Sequence, residues 1–112
     1  MNKEIYNLLP QEVKNILFLS NGWLVGSSLE NILNNNIVKD YDIIITDFKL
    51  FSKCISIYSK YFKNFTTFGG IKVEINDIII DFWHSDLESF IRETTHIGII
   101  YNMQNNIALK LK

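Results

Sequence analysis

Cysteine and proline are almost missing from this sequence, which contains only Cys54 and Pro10. No intrachain disulfide is available, so we expect a reducing, cytoplasmic environment. No apolar run approaches the roughly 18 residues that a membrane-spanning helix needs. Charged residues interrupt the apolar ones between Lys3 and Lys14, which predicts that there is no signal peptide. We therefore expect a protein with no membrane partner.

An excess of charge of one sign is also missing. The formal net charge is −1, from 11 Lys and Arg against 12 Asp and Glu. This balance gives no broad electrostatic attraction to nucleic acid, so any such contact must come from a local patch. Hydrophobic residues make up 47% of the chain and charged residues 21%, as in an ordinary globule. The length predicts one domain over residues 1–112.

Helices and strands are expected to follow one another irregularly. Caps and apolar spacing predict helices near residues 10–19, 27–34, 48–62 and 86–93. Apolar runs between turn signals predict strands near residues 23–25, 41–46, 71–75, 78–83, 97–101 and 107–111. Because there is no regular βαβ alternation, we predict an α+β fold with a mixed or largely antiparallel sheet.

Two aspartates open the strand at residues 41–46, although carboxylates are poor strand formers and costly to bury unpaired. Side chains alternate along a strand, so Asp40 and Asp42 share one face. Asp81 is a third carboxylate, inside the apolar strand at residues 78–83. If the two strands are neighbours with their core faces aligned, the three aspartates converge on the face away from the helices.

Three converging carboxylates repel one another unless cations bind between them. Mg²⁺, a hard cation that prefers oxygen ligands, would relieve this repulsion. Two such ions roughly 4 Å apart commonly support phosphoryl or nucleotidyl transfer. The small residues upstream fit the same chemistry. Gly26 allows close backbone approach, and Ser27 and the following helix start offer hydrogen-bond donors to a phosphate.

The pattern Gly26-Ser27, twelve residues, then Asp40-Tyr41-Asp42 resembles the signature of the DNA polymerase β-like nucleotidyltransferase superfamily. It looks most like the head domain of CCA-adding enzymes and bacterial poly(A) polymerases. The stretch "DIIIDFW" resembles the strand that carries that family's third carboxylate, here Asp81. The stretch "RETTHIGIIY" resembles the segment after the head's helix, matching at Arg92, Thr95 and Tyr101. The resemblance spans about residues 23–111.

The resemblance implies a nucleotidyltransferase fold, a mixed β-sheet with helices packed on one face. It implies two Mg²⁺ ions, for which Mn²⁺ can substitute, held by Asp40, Asp42 and Asp81. A nucleoside triphosphate such as ATP would contact Gly26, Ser27 and Arg92. The nucleoside monophosphate would pass to an RNA 3′ end or a protein hydroxyl, with release of pyrophosphate.

The sequence departs from the family pattern in three respects. Glu30 and Asn31 stand where the family has an Arg-Asp pair, and Ile97 aligns with its later Asn. The neck and body segments that select the base and hold tRNA in CCA-adding enzymes are missing. We therefore do not expect this chain alone to perform full CCA addition. Some stand-alone heads of the superfamily are antitoxins that transfer AMP to a partner toxin.

A second interpretation is a catalytically inactive nucleotide-binding or protein-interaction module of the same fold. Such a module would act with a partner protein or as a homo-oligomer.

Four other positions have competing interpretations. Lys72 lies on the solvent side of a hairpin or faces a triphosphate, and Trp83 packs at the core rim or stacks on a base. Cys54 falls on the apolar stripe of a helix and is expected in the core. His84 and His96 lack a partner at zinc-ligand spacing, so no zinc site is expected.

Overall fold

The computed structural model describes residues 2–66, 69–94 and 98–111, with side chains from residue 4 onward. Its helices are α1 (Asn2–Leu8), α2 (Gln11–Ser20), α3 (Ser28–Leu33), α4 (Phe48–Tyr58) and α5 (Leu87–Glu93), and a 3₁₀ turn, Ser59–Tyr61, follows α4. Its strands are β1 (Trp23–Val25), β2 (Asp40–Ile45), β3 (Phe62–Phe65), β4 (Ile71–Ile75), β5 (Ile78–His84), β6 (Gly98–Asn102) and β7 (Ile107–Leu111). None of the described helices is long and apolar enough to cross a membrane.

The strands form one mixed sheet in the order β3-β4-β5-β2-β1-β6-β7. The central pair, β2 and β5, is parallel, and every other neighbouring pair is antiparallel. The predicted α+β class with a mixed sheet is therefore confirmed. Parallel pairing joins β2 to β5 although α4, β3 and β4 lie between them in the chain. The central pair of strands therefore connects segments that are far apart in the sequence.

One face of the sheet carries the main apolar core. Inward residues of β2 and β5, including Ile43, Ile80 and Phe82, are fully buried there. Helices α1 to α4 add apolar side chains to the same cluster, among them Ile5 of α1 and Cys54 of α4. Burying such side chains stabilises the fold by roughly 1.5–3 kcal/mol each. The expectation that helices pack on one face holds for these four helices.

Helix α5 packs on the opposite face of the sheet. It contributes Leu87, Phe90 and Ile91 to a second apolar cluster. The buried part of that cluster comes from strands, and its members are Trp23, Val25, Ile44, Ile100 and Leu111. Helix α5 therefore covers part of the second face, over residues of β1, β6 and β7 and over Ile44 of β2.

Two elements differ from the sequence prediction. The helix expected to reach residue 62 ends at Tyr58, and strand β3 begins at Phe62. The apolar spacing continues into this strand, but Phe62 and Phe65 pair with Val73 and Ile71 of β4. The sequence analysis predicted no helix where α1 lies, although Ile5 of this helix is fully buried. Both misses arise because non-local packing decides these segments.

The β4–β5 hairpin turns at Asn76 and Asp77, as predicted. Both residues have positive φ values, 51° and 67°. This conformation is the one that two-residue hairpin turns favour, because it matches the right-handed twist of the strands. Pairing begins with Ile75 and Ile78 beside the turn and continues without a bulge to Ile71 and Phe82.

Asn102 ties the end of α2 to the β6–β7 hairpin. Its side chain is buried, and its Nδ2 donates to the carbonyl oxygens of Asn21 and Gly22 at 3.1 and 3.2 Å. Its Oδ1 accepts a hydrogen bond from the backbone N–H of Asn105 at 2.8 Å. A buried amide with both ends bonded fixes two turns against each other.

We expect Asn102→Leu to destabilise the protein by about 2–3 kcal/mol, because the bonded backbone groups lose their partner. Urea unfolding measures this change. Asn105→Ala, at an exposed neighbour in the same turn, serves as the control and should change stability by less than about 0.5 kcal/mol. Equal stability of Asn102→Leu and the parent would show that the amide network contributes nothing.

Candidate active site

Two carboxylates meet at the centre of the sheet. In the parallel pairing of β2 with β5, Asp42 lies directly opposite Asp81. Each carboxyl group influences the pKa of the other. Asp40 lies two residues earlier on the same face, and its side chain is exposed. The structure thus places all three candidate carboxylates on the face that carries α5, beyond the apolar cluster.

The close approach changes the acidity of these groups. Burial raises the pKa of Asp42 to about 6, and the negative charges of Asp81 and Asp40 add to the shift. Burial also raises the pKa of Asp81, while the cation of Lys72 opposes that rise. Protonating one member of the pair lets the two carboxyl groups hydrogen-bond instead of repelling each other.

Lys72 is a neighbour that the sequence interpretation left open between solvent and site. It pairs with Asp81 in the β4–β5 register, and its Nζ lies 3.8 Å from Asp81 Oδ1. That oxygen is buried and has no hydrogen-bond partner. Counting outward from the Asn76-Asp77 turn would have placed Lys72 beside Asp81. The long ion pair leaves hydrogen-bonding capacity at Asp81 unused.

Gly26 closes the site on the β1 side. Val25 pairs with Asp42, which brings the residue after it against the carboxylate. A Cβ atom at Gly26 would lie 2.8 Å from Asp42 Oδ2, and the residue has a φ of 81°. Both facts require glycine here. The missing side chain leaves a small cradle beside a carboxylate oxygen.

Two serines follow Gly26 at the start of α3. Ser27 is exposed and makes no side-chain capping hydrogen bond. Ser28, which the sequence interpretation did not include in the site, has a buried Oγ without a hydrogen-bond partner. Buried hydroxyls without partners are uncommon in folded proteins. The turn therefore offers one exposed and one buried hydroxyl next to Gly26.

Arg92 and Glu30 have contacts away from the carboxylates. Arg92 is exposed on α5, with its Nη1 3.9 Å from Glu88 Oε1 and its Nη2 3.4 Å from Ser89 Oγ. Glu30 Oε1 accepts a hydrogen bond from the backbone N–H of Ile99 at 3.0 Å, which links α3 to β6. Glu30, one of the positions at which the sequence differs from the motif it resembles, thus joins α3 to β6 through a hydrogen bond. Thr95 and Ile97 lie outside the described residues.

Within the described ranges, no three His, Cys, Asp or Glu side chains are gathered closely enough to hold a metal ion. The residues present nevertheless fit Mg²⁺, which usually takes one or two protein carboxylates and completes its shell with water and substrate phosphates. Asp42 and Asp81 supply that pair. The unpartnered Oδ1 of Asp81 and the cradle at Gly26 are the features that such an ion and its phosphate ligands would use.

The structure also shows the surroundings of Cys54, Trp83 and His84, three residues considered in the sequence analysis. Cys54 is buried in the main core, and burial raises the pKa of its thiol to about 11, so it is unreactive. Trp83 packs at the edge of the second apolar cluster. The ring of His84 contacts the rings of Phe48 and Phe51. His96 lies outside the described residues.

Comparison with known proteins gives a fold likeness. No protein-family model matches the chain, and no curated protein matches it in sequence. A solved structure of a tRNA-processing enzyme in an apo form is similar, with a TM-score of 0.57 and 16% identity. The match covers 80% of this chain and 29% of that chain. This chain therefore spans less than a third of that enzyme, and the likeness shows a shared fold.

The raised pKa of Asp42 predicts how stability depends on pH in metal-free protein. The native carboxyl keeps its proton up to pH about 6, whereas the unfolded carboxyl loses it near 3.8. The stability from this group is fully present below the unfolded pKa and is lost as pH rises from about 4 to 6. Asp42→Asn stays neutral, so its stability relative to the parent should rise by about 1–2 kcal/mol across that range.

Urea unfolding in EDTA at several pH values between 4 and 7 measures this difference. Asp77→Asn makes the same chemical change at an exposed turn residue and should run parallel to the parent. A constant difference between Asp42→Asn and the parent at every pH would contradict the raised pKa.

Proposed function

We propose that this protein is a Mg²⁺-dependent nucleotidyltransferase, which transfers a nucleoside monophosphate from a nucleoside triphosphate to a hydroxyl acceptor. The observation that carries the proposal is the meeting of Asp42 and Asp81 at the centre of the sheet, beside the cradle of Gly26. The fold shared with a tRNA-processing enzyme supports an RNA acceptor. A hydroxyl on a protein partner is the other acceptor chemistry that the same site could serve.

The metal would be held by Asp42 and Asp81, with Asp40 adding a third carboxylate once the ion draws the acids together. When bound, Mg²⁺ neutralises the charge of the triphosphate and of the three carboxylates. Electrostatic repulsion between the carboxylates of Asp42 and Asp81 would favour metal binding, because the cation would take the place of the proton that otherwise reduces this repulsion. A second ion would need further oxygens from the substrate.

The remaining groups would bind the phosphates. The backbone at Gly26 and the hydroxyls of Ser27 and Ser28 offer donors on one side of the carboxylates, and Lys72 offers a cation on the other. Arg92 would reach a phosphate only by leaving Glu88. That exposed pair is long, so little free energy holds it in place.

In the reaction, the acceptor oxygen forms a bond to the α-phosphorus of the nucleotide. The bond from the α-phosphorus to its bridging oxygen breaks, and pyrophosphate leaves with the electron pair. Asp81 orients the attacking hydroxyl and accepts its proton.

A second function, a nucleotide-binding or protein-interaction module without catalysis, has one observation in its favour. The described residues assemble no three-ligand metal group on their own. In this alternative, the protein binds a nucleotide or a partner protein without transferring a nucleotidyl group.

We expect Mg²⁺ and ATP together to raise the thermal unfolding temperature of the parent by several degrees, because ligands that bind only the native state stabilise it. Asp40→Asn and Asp42→Asn should lose this stabilisation and any nucleotide transfer. Without metal, both variants should be at least as stable as the parent, since each relieves repulsion. Differential scanning fluorimetry with and without Mg²⁺, and labelled nucleotide with cell lysate, measure the two effects.

A structural role of the carboxylates would give the opposite pattern. Both variants would then lose about 1–3 kcal/mol without metal while transfer persisted. Mg²⁺-dependent stabilisation with no labelled product from any nucleotide would favour the non-catalytic module.

Gly26 and Gly69 offer a matched test of the cradle. Both have positive φ, 81° and 79°, but a Cβ atom meets Asp42 Oδ2 only at Gly26, and at Gly69 it meets nothing within 4 Å. Alanine should cost each site a similar backbone strain of about 1–2 kcal/mol. Only Gly26→Ala should also weaken nucleotide binding, by about tenfold or more, measured by calorimetry. Equal loss of nucleotide affinity in the two variants would mean that the cradle has no role.

A further inference from the structure

One stretch of the chain, residues 48–73, has a charge unlike the rest. It contains five of the chain's eleven basic residues, Lys49, Lys53, Lys60, Lys63 and Lys72, and none of its twelve acidic residues. We call it the basic segment. The nearly neutral whole chain hides this asymmetry. A local cluster of this kind is what contact with nucleic acid requires in a protein without net positive charge.

Four of the five lysines of the basic segment are exposed to solvent, and the fifth, Lys72, is half-buried beside Asp81. Lys49 and Lys53, four residues apart, share the exposed face of α4, and Lys60 is exposed in the 3₁₀ turn that follows. Lys63 of β3 is exposed but already paired with Glu74, at 2.8 Å. The free electrostatic attraction of the segment therefore comes mainly from Lys49, Lys53 and Lys60.

Aromatic side chains lie between these lysines. Phe62 and Phe65 are 45% and 76% exposed, and their ring centroids are 4.9 Å apart. Tyr61, next to Phe62, lies beneath the Lys60 ammonium at 5.2 Å. Exposed phenylalanines cost free energy in water unless something covers them. Phe62 and Phe65 meet edge to face, at an interplanar angle of 63°. Exposed rings flanked by cations suit nucleic-acid bases, which stack on aromatic rings while lysines attract the backbone phosphates.

The position of β3 relates this surface to the candidate active site. Strand β3 is the edge strand, and Asn64, Lys72, Asp81 and Asp42 follow one another across β3, β4, β5 and β2. Neighbouring strands lie about 5 Å apart, so the edge is only about 10 Å from Asp81. Phe62 and Phe65 pair with Val73 and Ile71, so they lie on the main core side of this edge, and a chain bound there would reach the carboxylates by passing around β3.

We propose that the edge formed by the 3₁₀ turn and β3 binds a single-stranded polynucleotide, whose bases stack on Phe62 and Phe65 and whose phosphates contact Lys60. This inference rests on the proposed function in one respect, since the 3′ hydroxyl of the bound strand is then the acceptor. A protein partner fits less well, because lysines interleaved with exposed aromatic rings match phosphates and bases together. Every base has a face that can stack on an aromatic ring, so binding through Phe62 and Phe65 is expected to tolerate any sequence.

Binding can be measured without catalysis. The probe is a 5′-fluorescent single-stranded oligonucleotide of 12 nucleotides, as RNA and as DNA, followed by anisotropy in EDTA without nucleotide. Phe65→Ala should weaken binding by about five- to hundredfold, the usual effect of losing one base stack. The matched control is Phe18→Ala, which removes a phenylalanine of similar exposure, 68% against 76% for Phe65, on α2 outside the basic segment. It should leave affinity unchanged.

A second pair of variants separates local from global charge. Lys60→Glu and Lys110→Glu change the net charge equally, but Lys110 is exposed on β7, at the opposite edge of the sheet. Lys60→Glu should weaken binding and reduce the slope of log affinity against log salt by about 0.7 or more. Lys110→Glu should leave the slope as in the parent. A fully paired duplex of the same length should bind more weakly, because its bases are unavailable for stacking.

No binding of either oligonucleotide by the parent, or equal effects of Phe65→Ala and Phe18→Ala, overturns the proposal. Labelling of a protein in lysate that requires Phe65, without oligonucleotide binding, would assign the surface to a protein instead and also overturn it. The proposed function is tested separately by stabilisation with Mg²⁺ and ATP, which Phe65→Ala should leave intact. Oligonucleotide binding without that stabilisation would support the surface while rejecting the enzyme.

Discussion

The parallel pairing of β2 with β5 is the contact on which the candidate site depends. It sets Asp42 opposite Asp81 and, through the flanking antiparallel pairs, brings Gly26 and Lys72 to either side of them. A shift of one residue in this register would turn every side chain of one strand to the other face. The buried run of Ile43, Ile80 and Phe82 on the opposite face prevents such a shift.

Burial has opposite effects on stability on the two faces of β2 and β5. On the main core face, apolar burial stabilises the protein. On the other face, burial and like charge raise the pKa values of Asp42 and Asp81, which destabilises their ionised forms. Such local conflict is typical of functional sites, where stability elsewhere maintains an unfavourable arrangement. The apolar cluster under α5 limits this conflict to the uncovered part of the face.

The proposed active site lies at the centre of the sheet, whereas the proposed polynucleotide-binding surface lies at its β3 edge. The centre gathers negative charge, which suits a cation and the phosphates that accompany it. The edge formed by the 3₁₀ turn and β3 presents the exposed cation of Lys60 and exposed rings. A polynucleotide would avoid the carboxylates along most of its length and approach them only at its end. The order of the strands, rather than any single motif, creates this separation of charge.

Sequence patterns by themselves determined the class of fold, most of its strands and helices, the Asn76-Asp77 turn and the shared face of Asp40 and Asp42. These features depend on local rules, namely side-chain alternation, helix spacing and turn chemistry. Only the tertiary structure decided that β2 and β5 are parallel neighbours, that residues 62–65 form a strand and that α5 covers the second face. The buried hydroxyl of Ser28 emerged there too. The physical reason is that pairing partners and burial depend on residues far apart in the chain, whose contacts no local pattern encodes.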